Sequence, residues 1–515
     1  NHYVYVDLNQ PKVWITEQLN RIGCRIIINS LDENTEHLPN GIAILTFEPN
    51  YHTNSFRLKK ISAIQPAYIN FSSGSSGIPK AIVCTHAGVT RLCRKQNFLN
   101  FEKRLNFLLH SPLSFDASTL EIWGALLNGG CCIINHEKLL TPSILQQEIR
   151  HHNVNTLWLT VSLFNALVDA DIYCLNGLHT VLTGGDILSV PHLRKAFCAH
   201  PEINFINGYG PTENTTFTCC HKIRPQDLKR NDIPIGQAIN GTQVFLCGSD
   251  GHPLTQQSSL SGEIYTIGDG VALGYLGDPQ RSAQSFVTLH WKGKSYRAYR
   301  TGDLARYDNE GNLRFIGRVD NQVKLNGYRL NLNGIEAKLR NVSGVSDCAL
   351  FILEHQGNKR LIAALQADNE CHARQAALGF PSWERPSAWF CINPFPLNRH
   401  GKVDRRSLQS LWIEQQAQQS SVLMNEQETA CAEWWSLLLG CPVTSPEQHF
   451  FESGGNSLHA IQLLATCQNH HPSNPITLHD IYRHATVSEF AGLLQQRGID
   501  AMQIRCPIPD TVLIL

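Results

Sequence analysis

The sequence carries no net charge, since 43 Lys and Arg are matched by 43 Asp and Glu. That balance excludes a global field able to gather phosphate backbones or anionic lipid, so such a partner would need a local basic patch. Charge is also sparse, at 17% of residues against 42% hydrophobic, which excludes a disordered chain and supplies several cores. No apolar run approaches the roughly 18 to 20 residues of a membrane span, and Asn1-His2-Tyr3 has neither the charged nor the apolar region of a signal peptide. The expectation is a soluble, cytoplasmic protein with no nucleic-acid and no membrane partner. C-x-x-C spacing is absent. The 17 Cys include the pairs Cys131-Cys132 and Cys219-Cys220 in apolar stretches, which read as buried reduced thiols rather than a metal site or disulfide framework. The 23 His are dispersed, and His151-His152 and His470-His471 lack zinc-site spacing. Internal repeats are absent too.

A length of 515 residues implies about three to four domain-sized units at roughly 150 residues each. In the first half, short apolar runs alternate with amphipathic stretches. Arg25 to Ile28, Asn155 to Leu159 and Thr180 to Leu182 read as strands, and Pro142 to Arg150 as a helix. That alternation predicts parallel sheets covered by helices. From about Ile233 to Phe315 strands broken by Gly, Asp and Asn predict a more antiparallel region, as in Gly262 to Ile267. Gly334 to Leu339 reads as a helix and Cys348 to Leu353 as a strand of a smaller unit ending near Leu408. Glu414 to Ser421, E-Q-Q-A-Q-Q-S-S, reads as a linker or a frayed helix end. Beyond it, Glu428 to Leu439 and Leu458 to Cys467 place apolar residues at helical spacing, predicting a small helical bundle.

Phe71 to Ile82, F-S-S-G-S-S-G-I-P-K-A-I, follows the apolar Ala67-Tyr68-Ile69. Backbone N–H and hydroxyl donors from Ser72, Ser73, Gly74, Ser75, Ser76 and Gly77, with the point charge of Lys80, can cradle phosphate oxygens. The glycine spacing and Pro79 before Lys80 exclude the kinase-type P-loop. Further on stand N-G-Y-G-P-T-E (Asn207 to Glu213), Y-R-T-G-D-L (Tyr299 to Leu304), G-R-V-D-N-Q-V-K-L-N-G (Gly317 to Gly327) and N-R-H-G-K-V-D-R-R-S-L (Asn398 to Leu408). Phe450 to Leu458 reads F-F-E-S-G-G-N-S-L.

In this order the motifs resemble the signatures of the adenylate-forming superfamily, and specifically the amino-acid adenylation domains of nonribosomal peptide synthetases. The last resembles the attachment motif of a peptidyl carrier domain. The resemblance implies an α/β fold with a large adenylate-forming subdomain over 1–319, a small α+β subdomain over 320–408, a linker over 409–424, an all-α four-helix carrier over 425–497 and a tail over 498–515. Tyr5-Val6-Asp7-Leu8 resembles a segment well inside the large subdomain, so the chain is expected to begin partway through it. Two half-reactions are implied: an amino acid and Mg-ATP give aminoacyl-AMP and pyrophosphate, then a 4′-phosphopantetheine thiol takes the aminoacyl group.

The resemblance also implies roles. Thr212, Glu213 and Lys402 are the catalytic set, with Lys402 between substrate carboxylate and α-phosphate and Glu213 holding Mg²⁺. Tyr209 stacks on adenine, Asp303 accepts the ribose hydroxyls with Arg318 nearby, and Asn207 joins the ATP site. Asp320 is the hinge about which the small subdomain turns. Asp116, in S-F-D-A-S-T-L-E-I-W (Ser114 to Trp123), pairs with the substrate ammonium. Ala117, Leu120, Trp158, Leu182, Gly184, Gly208, Thr216 and Phe217 form the rest of the pocket, completed by Lys402. Gly184 and Gly208 are expected to leave space, and the apolar walls offer a side chain no charged partner. Valine or a related small aliphatic amino acid is the expected substrate.

Ser457, between Gly454-Gly455-Asn456 and a helical apolar pattern, is the implied attachment site, at a helix start that favours a phosphodiester. Implied partners are a phosphopantetheinyl transferase, condensation or other synthetase domains, and an MbtH-like protein. Asn326, Asn331 and Asn333-Gly334 depart from the usual R-G-x-R-I-E-L-G-E-I-E run, and Ala81 from the usual Gly. Two alternatives stay open: a catalytically inactive remnant acting as a carrier and docking module, and an acyl-CoA or aryl-acid ligase. Asp116 and the fused carrier disfavour the latter.

Overall fold

The computed structural model describes residues 3–6, 10–29, 42–46, 60–72, 79–135, 137, 140–230, 232–254, 261–319, 322–325, 328–355, 358–397, 403–418, 424–439, 442–451, 453, 455, 457–470 and 476–503. Its main sheet has seven strands in the spatial order Gln237–Ala238, Cys219–Lys222, Asn204–Tyr209, Thr180–Gly184, Thr156–Thr160, Asn106–Leu109 and Cys131–Ile134. The last five pair in parallel and the first two are antiparallel additions. Central strands such as Thr156–Thr160 are nearly continuous apolar runs because helices cover the sheet. Those helices start where local chemistry allows. Thr141 caps Pro142–His152 by accepting from the Ile144 N–H at 3.3 Å, with Pro142 in the first turn and Asn153 ending the helix at φ 53°. Thr160 caps Val161–Ala170 in the same way.

The antiparallel region is a five-stranded sheet of Thr242–Cys247, Gly262–Gly268, Phe286–Trp291, Lys294–Tyr307 and Leu313–Arg318. A smaller sheet pairs Pro66–Ser72 antiparallel with Lys80–Thr85. Ser72 stands in register with Lys80 across this pair, so a strand lies on either side of residues 73–78.

In the small subdomain, Asp347–His355, Asn358–Gln366 and Ala388–Cys391 form a three-stranded sheet beside the helix Leu332–Arg340. Asn331 caps that helix, accepting from the Gly334 N–H at 3.0 Å, so this departure from the family run has a local use. Buried Glu336 accepts from the Leu350 N–H at 2.8 Å and from Arg405 at 2.7 Å. The helix Arg405–Gln418 corrects the linker expected over 409–424. Leu408 and Trp412 pack with Phe351 and Phe390, so the small subdomain continues through at least Trp412.

The carrier consists of helices Glu426–Leu439, Ser457–His470, Leu478–Arg483 and Val487–Gln496. Capping boxes at Thr477 and Thr486 open the last two. Trp435 is fully buried against Phe450 and Phe490, with ring centroids 4.9 and 5.7 Å away. The helix Ser457–His470 packs along Val161–Ala170 of the large subdomain, and Arg360 donates to the Leu439 carbonyl at 3.2 Å. No helix among the described residues is long and apolar enough to cross a membrane. Trp435→Ala should cost the carrier about 3–5 kcal/mol, read as faster native-state hydrogen exchange of the Val487–Gln496 amides. Unchanged protection would show that this ring is not central to the bundle.

Candidate active site

Three elements converge where the parallel sheet ends. Strand Asn204–Tyr209 delivers Tyr209, the short turn Thr212–Asn214 follows, and Asp303 lies on Lys294–Tyr307 directly opposite Arg318. The Tyr209 hydroxyl donates to Asp303 at 2.5 Å, and Arg318 bonds the other Asp303 oxygen. Glu213 is almost wholly buried and accepts from the Tyr275 hydroxyl at 2.8 Å. Glu213 and Asp303 are therefore not solvated loop acids, because an interior carboxylate needs partners. Lys80 is buried too, its Nζ 5.2 Å from the centre of the Tyr275 ring. Asn207 donates to the Pro234 carbonyl at 2.8 Å.

Asn207, Tyr209, Glu213, Asp303 and Arg318 border two adjoining cavities. The smaller, about 130 Å³, is lined among others by Ser72, Asp116, Ala117, Trp158, Gly208, Thr212, Glu213, Thr216, Phe217, Asp303 and Arg318. The larger, about 700 Å³, lies between large and small subdomains and takes in Asn207, Gly208, Tyr209, Asp303 and Arg318. Asp116 begins the helix Ala117–Leu126. Burial pushes its carboxyl up to about 6, Glu213 adds to the rise, and a hydrogen bond from Thr212 and the charge of Lys324 oppose it. One residue further along the helix from Leu120, Glu121 is fully buried, and burial pushes its carboxyl up to about 8 against the lowering effect of its hydrogen bonds from Ser111. Its oxygens meet Ser111 Oγ at 2.9 Å and the Ser111 N–H at 3.2 Å.

Ala117, Leu120, Trp158, Leu182 and Phe217 share one buried cluster. Leu120, Leu182 and Gly184 lie outside the lining of the small cavity. The expected role of the two glycines needs correcting. A Cβ on Gly184 would stand 3.0 Å from Trp158 Cη2 and 2.0 Å from the Gly208 carbonyl oxygen, and one on Gly208 would stand 2.6 Å from Phe217 Cε1. The space beside Gly208 is filled by the Phe217 ring, and that beside Gly184 by the Gly208 backbone and the Trp158 ring, which lies 5.2 Å from Phe217 between centroids.

Sequence reasoning gave no role to several neighbours. Lys324, on the hairpin of Gln322–Leu325 and Tyr328–Asn331, lies 5.7 Å from the Tyr209 ring centre and lines both cavities; its place in the G-R-V-D-N-Q-V-K run was the available signal. Tyr328 stacks on Trp383 at 4.8 Å and meets Phe115 at 5.8 Å, carrying the small subdomain onto the cavity wall. Lys359 joins that subdomain to Asp186 of the large one at 2.7 Å. No motif marked Tyr275, Trp383 or Lys359. Residues 73–78, Asp320 and Lys402 lie outside the described residues, as does the Ser457 side chain, although Ser457 opens its helix.

Gly208→Ala should force the Phe217 ring to move and destabilise the large subdomain by about 1–3 kcal/mol through overpacking, measured as a lower melting temperature. An unchanged melting temperature would mean that the ring yields freely.

Comparison with known proteins agrees with this geometry. The AMP-binding enzyme family matches residues 2–276, and the phosphopantetheine attachment site family matches residues 432–494. Tyrocidine synthase 3 of Brevibacillus parabrevis is 33% identical over 439 residues, covering 82% of this chain and 7% of its own length. Surfactin synthase subunit 1 of Bacillus subtilis (strain 168) is 29% identical over 506 residues, covering 96% and 14%. The chain thus spans a small fraction of these curated relatives. A solved structure of holo-PA1221, a nonribosomal peptide synthetase protein containing adenylation and carrier domains bound to a vinylsulfonamide inhibitor, superposes with a TM-score of 0.88 at 46% identity, covering 97% of this chain and 84% of that one. This chain belongs to the AMP-binding enzymes, in the nonribosomal peptide synthetase group that joins an adenylation domain to a phosphopantetheine carrier domain.

Proposed function

We propose that this chain activates a small aliphatic amino acid, valine foremost, as aminoacyl-AMP and loads it as a thioester on its own carrier. The observation that carries this reading is Asp116 on a cavity whose inner wall is apolar: Ala117, Trp158 and Phe217 line it, and Leu120 and Leu182 pack behind. An ammonium would pair with Asp116, and Ala117, Trp158 and Phe217 offer a substrate side chain apolar contact. With the space beside the glycines taken by the Gly208 backbone and the Trp158 and Phe217 rings, the pocket favours a compact aliphatic group over an aromatic one.

ATP is assigned to the donors of the Ser/Gly loop with Lys80, to Tyr209 and Asn207, and to Asp303 for the ribose, with Arg318 balancing its charge. Glu213 and the neighbouring Thr212 hydroxyl form an oxygen-donor set suited to Mg²⁺, which would neutralise phosphate charge. Lys402 is assigned to the in-line displacement, where a cation stabilises the charge developing between carboxylate and α-phosphate. Asp320 is the assigned hinge. Ser457 is assigned the phosphopantetheine, whose thiol accepts the aminoacyl group. Two partners follow from that chemistry, a phosphopantetheinyl transferase and condensation or other synthetase domains; an MbtH-like protein is carried over from the family resemblance alone.

Amino-acid-dependent ATP–pyrophosphate exchange tests the reading. Valine should drive it best, with isoleucine leaking through because a methylene is worth only about 1–3 kcal/mol, and Asp, Lys and Arg should fail. Best exchange with a charged or large aromatic amino acid would overturn the pocket assignment. Because Asp116 is neutral below about 6, kcat/KM for the amino acid should fall as pH drops through that value. Asp116→Asn should abolish this step and lower kcat/KM by at least about 10², the equivalent of roughly 3 kcal/mol for a broken buried pair. A pH profile identical in wild type and variant would remove Asp116 from ammonium binding.

Incubation with coenzyme A and a phosphopantetheinyl transferase should add one phosphopantetheine mass, lost in Ser457→Ala. Modification surviving that substitution would place the attachment elsewhere.

A further inference from the structure

The segment after Glu213 holds an unusual backbone. Thr215 and Thr216 have φ of 51° and 66°, a left-handed region that β-branched residues rarely enter. Two such residues in succession persist only where surrounding structure imposes the conformation. The same short stretch supplies Thr216 and Phe217 to the cavity wall. The Thr216 hydroxyl donates to the Asp116 carbonyl at 2.9 Å, and the Phe217 ring occupies the space over Gly208. Whatever fixes this backbone also fixes the wall.

The Thr215 hydroxyl donates to the Gly270 carbonyl at 2.8 Å and Asn214 to Thr218 Oγ1 at 2.7 Å, but most of the side-chain bonds to this backbone come from Arg91, buried on the helix His86–Cys93. Its Nη1 donates to the Phe217 carbonyl at 2.7 Å and to Thr242 Oγ1 at 2.8 Å. Its Nη2 donates to the carbonyls of Asn214 at 2.7 Å and Thr215 at 2.8 Å. Three carbonyls within four residues thus converge on one planar donor fork, which Lys could not match. No carboxylate forms an ion pair with it among the described residues. Burial pushes the guanidinium down to about 10, which leaves it charged at neutral pH. The surroundings are built for it. A Cβ on Gly270 would stand 2.6 Å from Arg91 Cζ, and one on Gly241, at φ 76°, would stand 2.9 Å from Arg91 Cγ. One turn earlier on the helix, a Cβ on Gly88 would stand 2.5 Å from Thr215 Oγ1.

We propose that Arg91 is a positioning residue for the substrate pocket, acting through the 214–217 backbone to hold Thr216 and Phe217 in place. It touches neither the cavity nor the groups assigned to ATP. Its loss should therefore fall on recognition of the carboxylic substrate before it falls on ATP. The substrate named here rests on the amino-acid reading above, but the clamp itself can be read without substrate.

The test uses the full chain with Arg91→Met, Arg91→Lys and Gly270→Ala. Gly270→Ala keeps the charge and displaces the guanidinium, so it serves if Arg91→Met fails to fold. In pyrophosphate exchange, Arg91→Met and Gly270→Ala should raise the amino-acid KM about tenfold or more, leave the ATP KM within about threefold and shrink the preference for valine over isoleucine. Arg91→Lys should recover part of the loss. In parallel, hydrogen exchange of the amides of residues 216–218, measured without ligand, should quicken in the same variants. If the wild type activates no amino acid, the substrate reading fails, and hydrogen exchange alone decides the clamp. Unchanged amide protection in a folded variant would overturn the proposal, as would a rise in ATP KM equal to that in amino-acid KM.

Discussion

Asp303 is the junction on which the site depends. Strand register sets Arg318 directly across from it, and the Tyr209 hydroxyl reaches it from the end of the parallel sheet at 2.5 Å. One carboxylate therefore ties the antiparallel sheet to the parallel one. Arg318 is the last residue of its strand, shortly before the hairpin that sets Lys324 over the Tyr209 ring, so the approach to the small subdomain is anchored at the same point. The two cavities share this wall, because Asp303 and Arg318 line both. Removing either partner of such a buried pair would leave an uncompensated charge, at a cost of about 3–5 kcal/mol. A ligand taking the Asp303 oxygens must replace the bonds they already make. Binding there is thus coupled to the junction between sheets and subdomains.

Much of the architecture was legible because buried strands and capped helices leave local marks. The strand read over Asn155 to Leu159 and the helix read from Pro142 needed no tertiary information. The stretch from Lys80 to Cys84 was different: a short apolar run has no readable period, so its antiparallel pairing with Pro66–Ser72 was invisible. Residues 405–418 read partly as linker because Gln and Glu look polar, yet Gln, Glu and Ala are good helix formers, and Trp412 supplied the core contact. In the site, motif positions named Asp116, Glu213, Tyr209 and Asp303 in one dimension. Tyr275 and Arg91 stand in no motif, and their partners lie 62 and 123 to 151 positions away in sequence. The glycines were the instructive failure. A glycine in sequence announces missing volume, but only the structure tells whether a ligand or a neighbouring ring fills it.

The raised carboxyl of Asp116 gives the proposed selectivity a physical basis. Its rise from the ordinary 3.8 to about 6 corresponds to roughly 3 kcal/mol at about 1.4 kcal/mol per unit. Because the folded-state value lies above the unfolded one, this strain is present in full above about 6 and fades as the carboxyl protonates toward 3.8. Near neutral pH the empty pocket therefore holds a costly anion. A substrate ammonium relieves that cost on binding, whereas an aryl or fatty acid leaves it in place and adds apolar surface that desolvates Asp116 further. On the proposed reading, discrimination against acids without an amine would then draw on the empty site's own instability. The same logic limits what the apolar wall can do. On the proposed reading Trp158 and Phe217 would set the volume, but volume separates aliphatic neighbours by only about 1–3 kcal/mol per methylene, so the charge would select the class of substrate and the rings would choose, less sharply, within it.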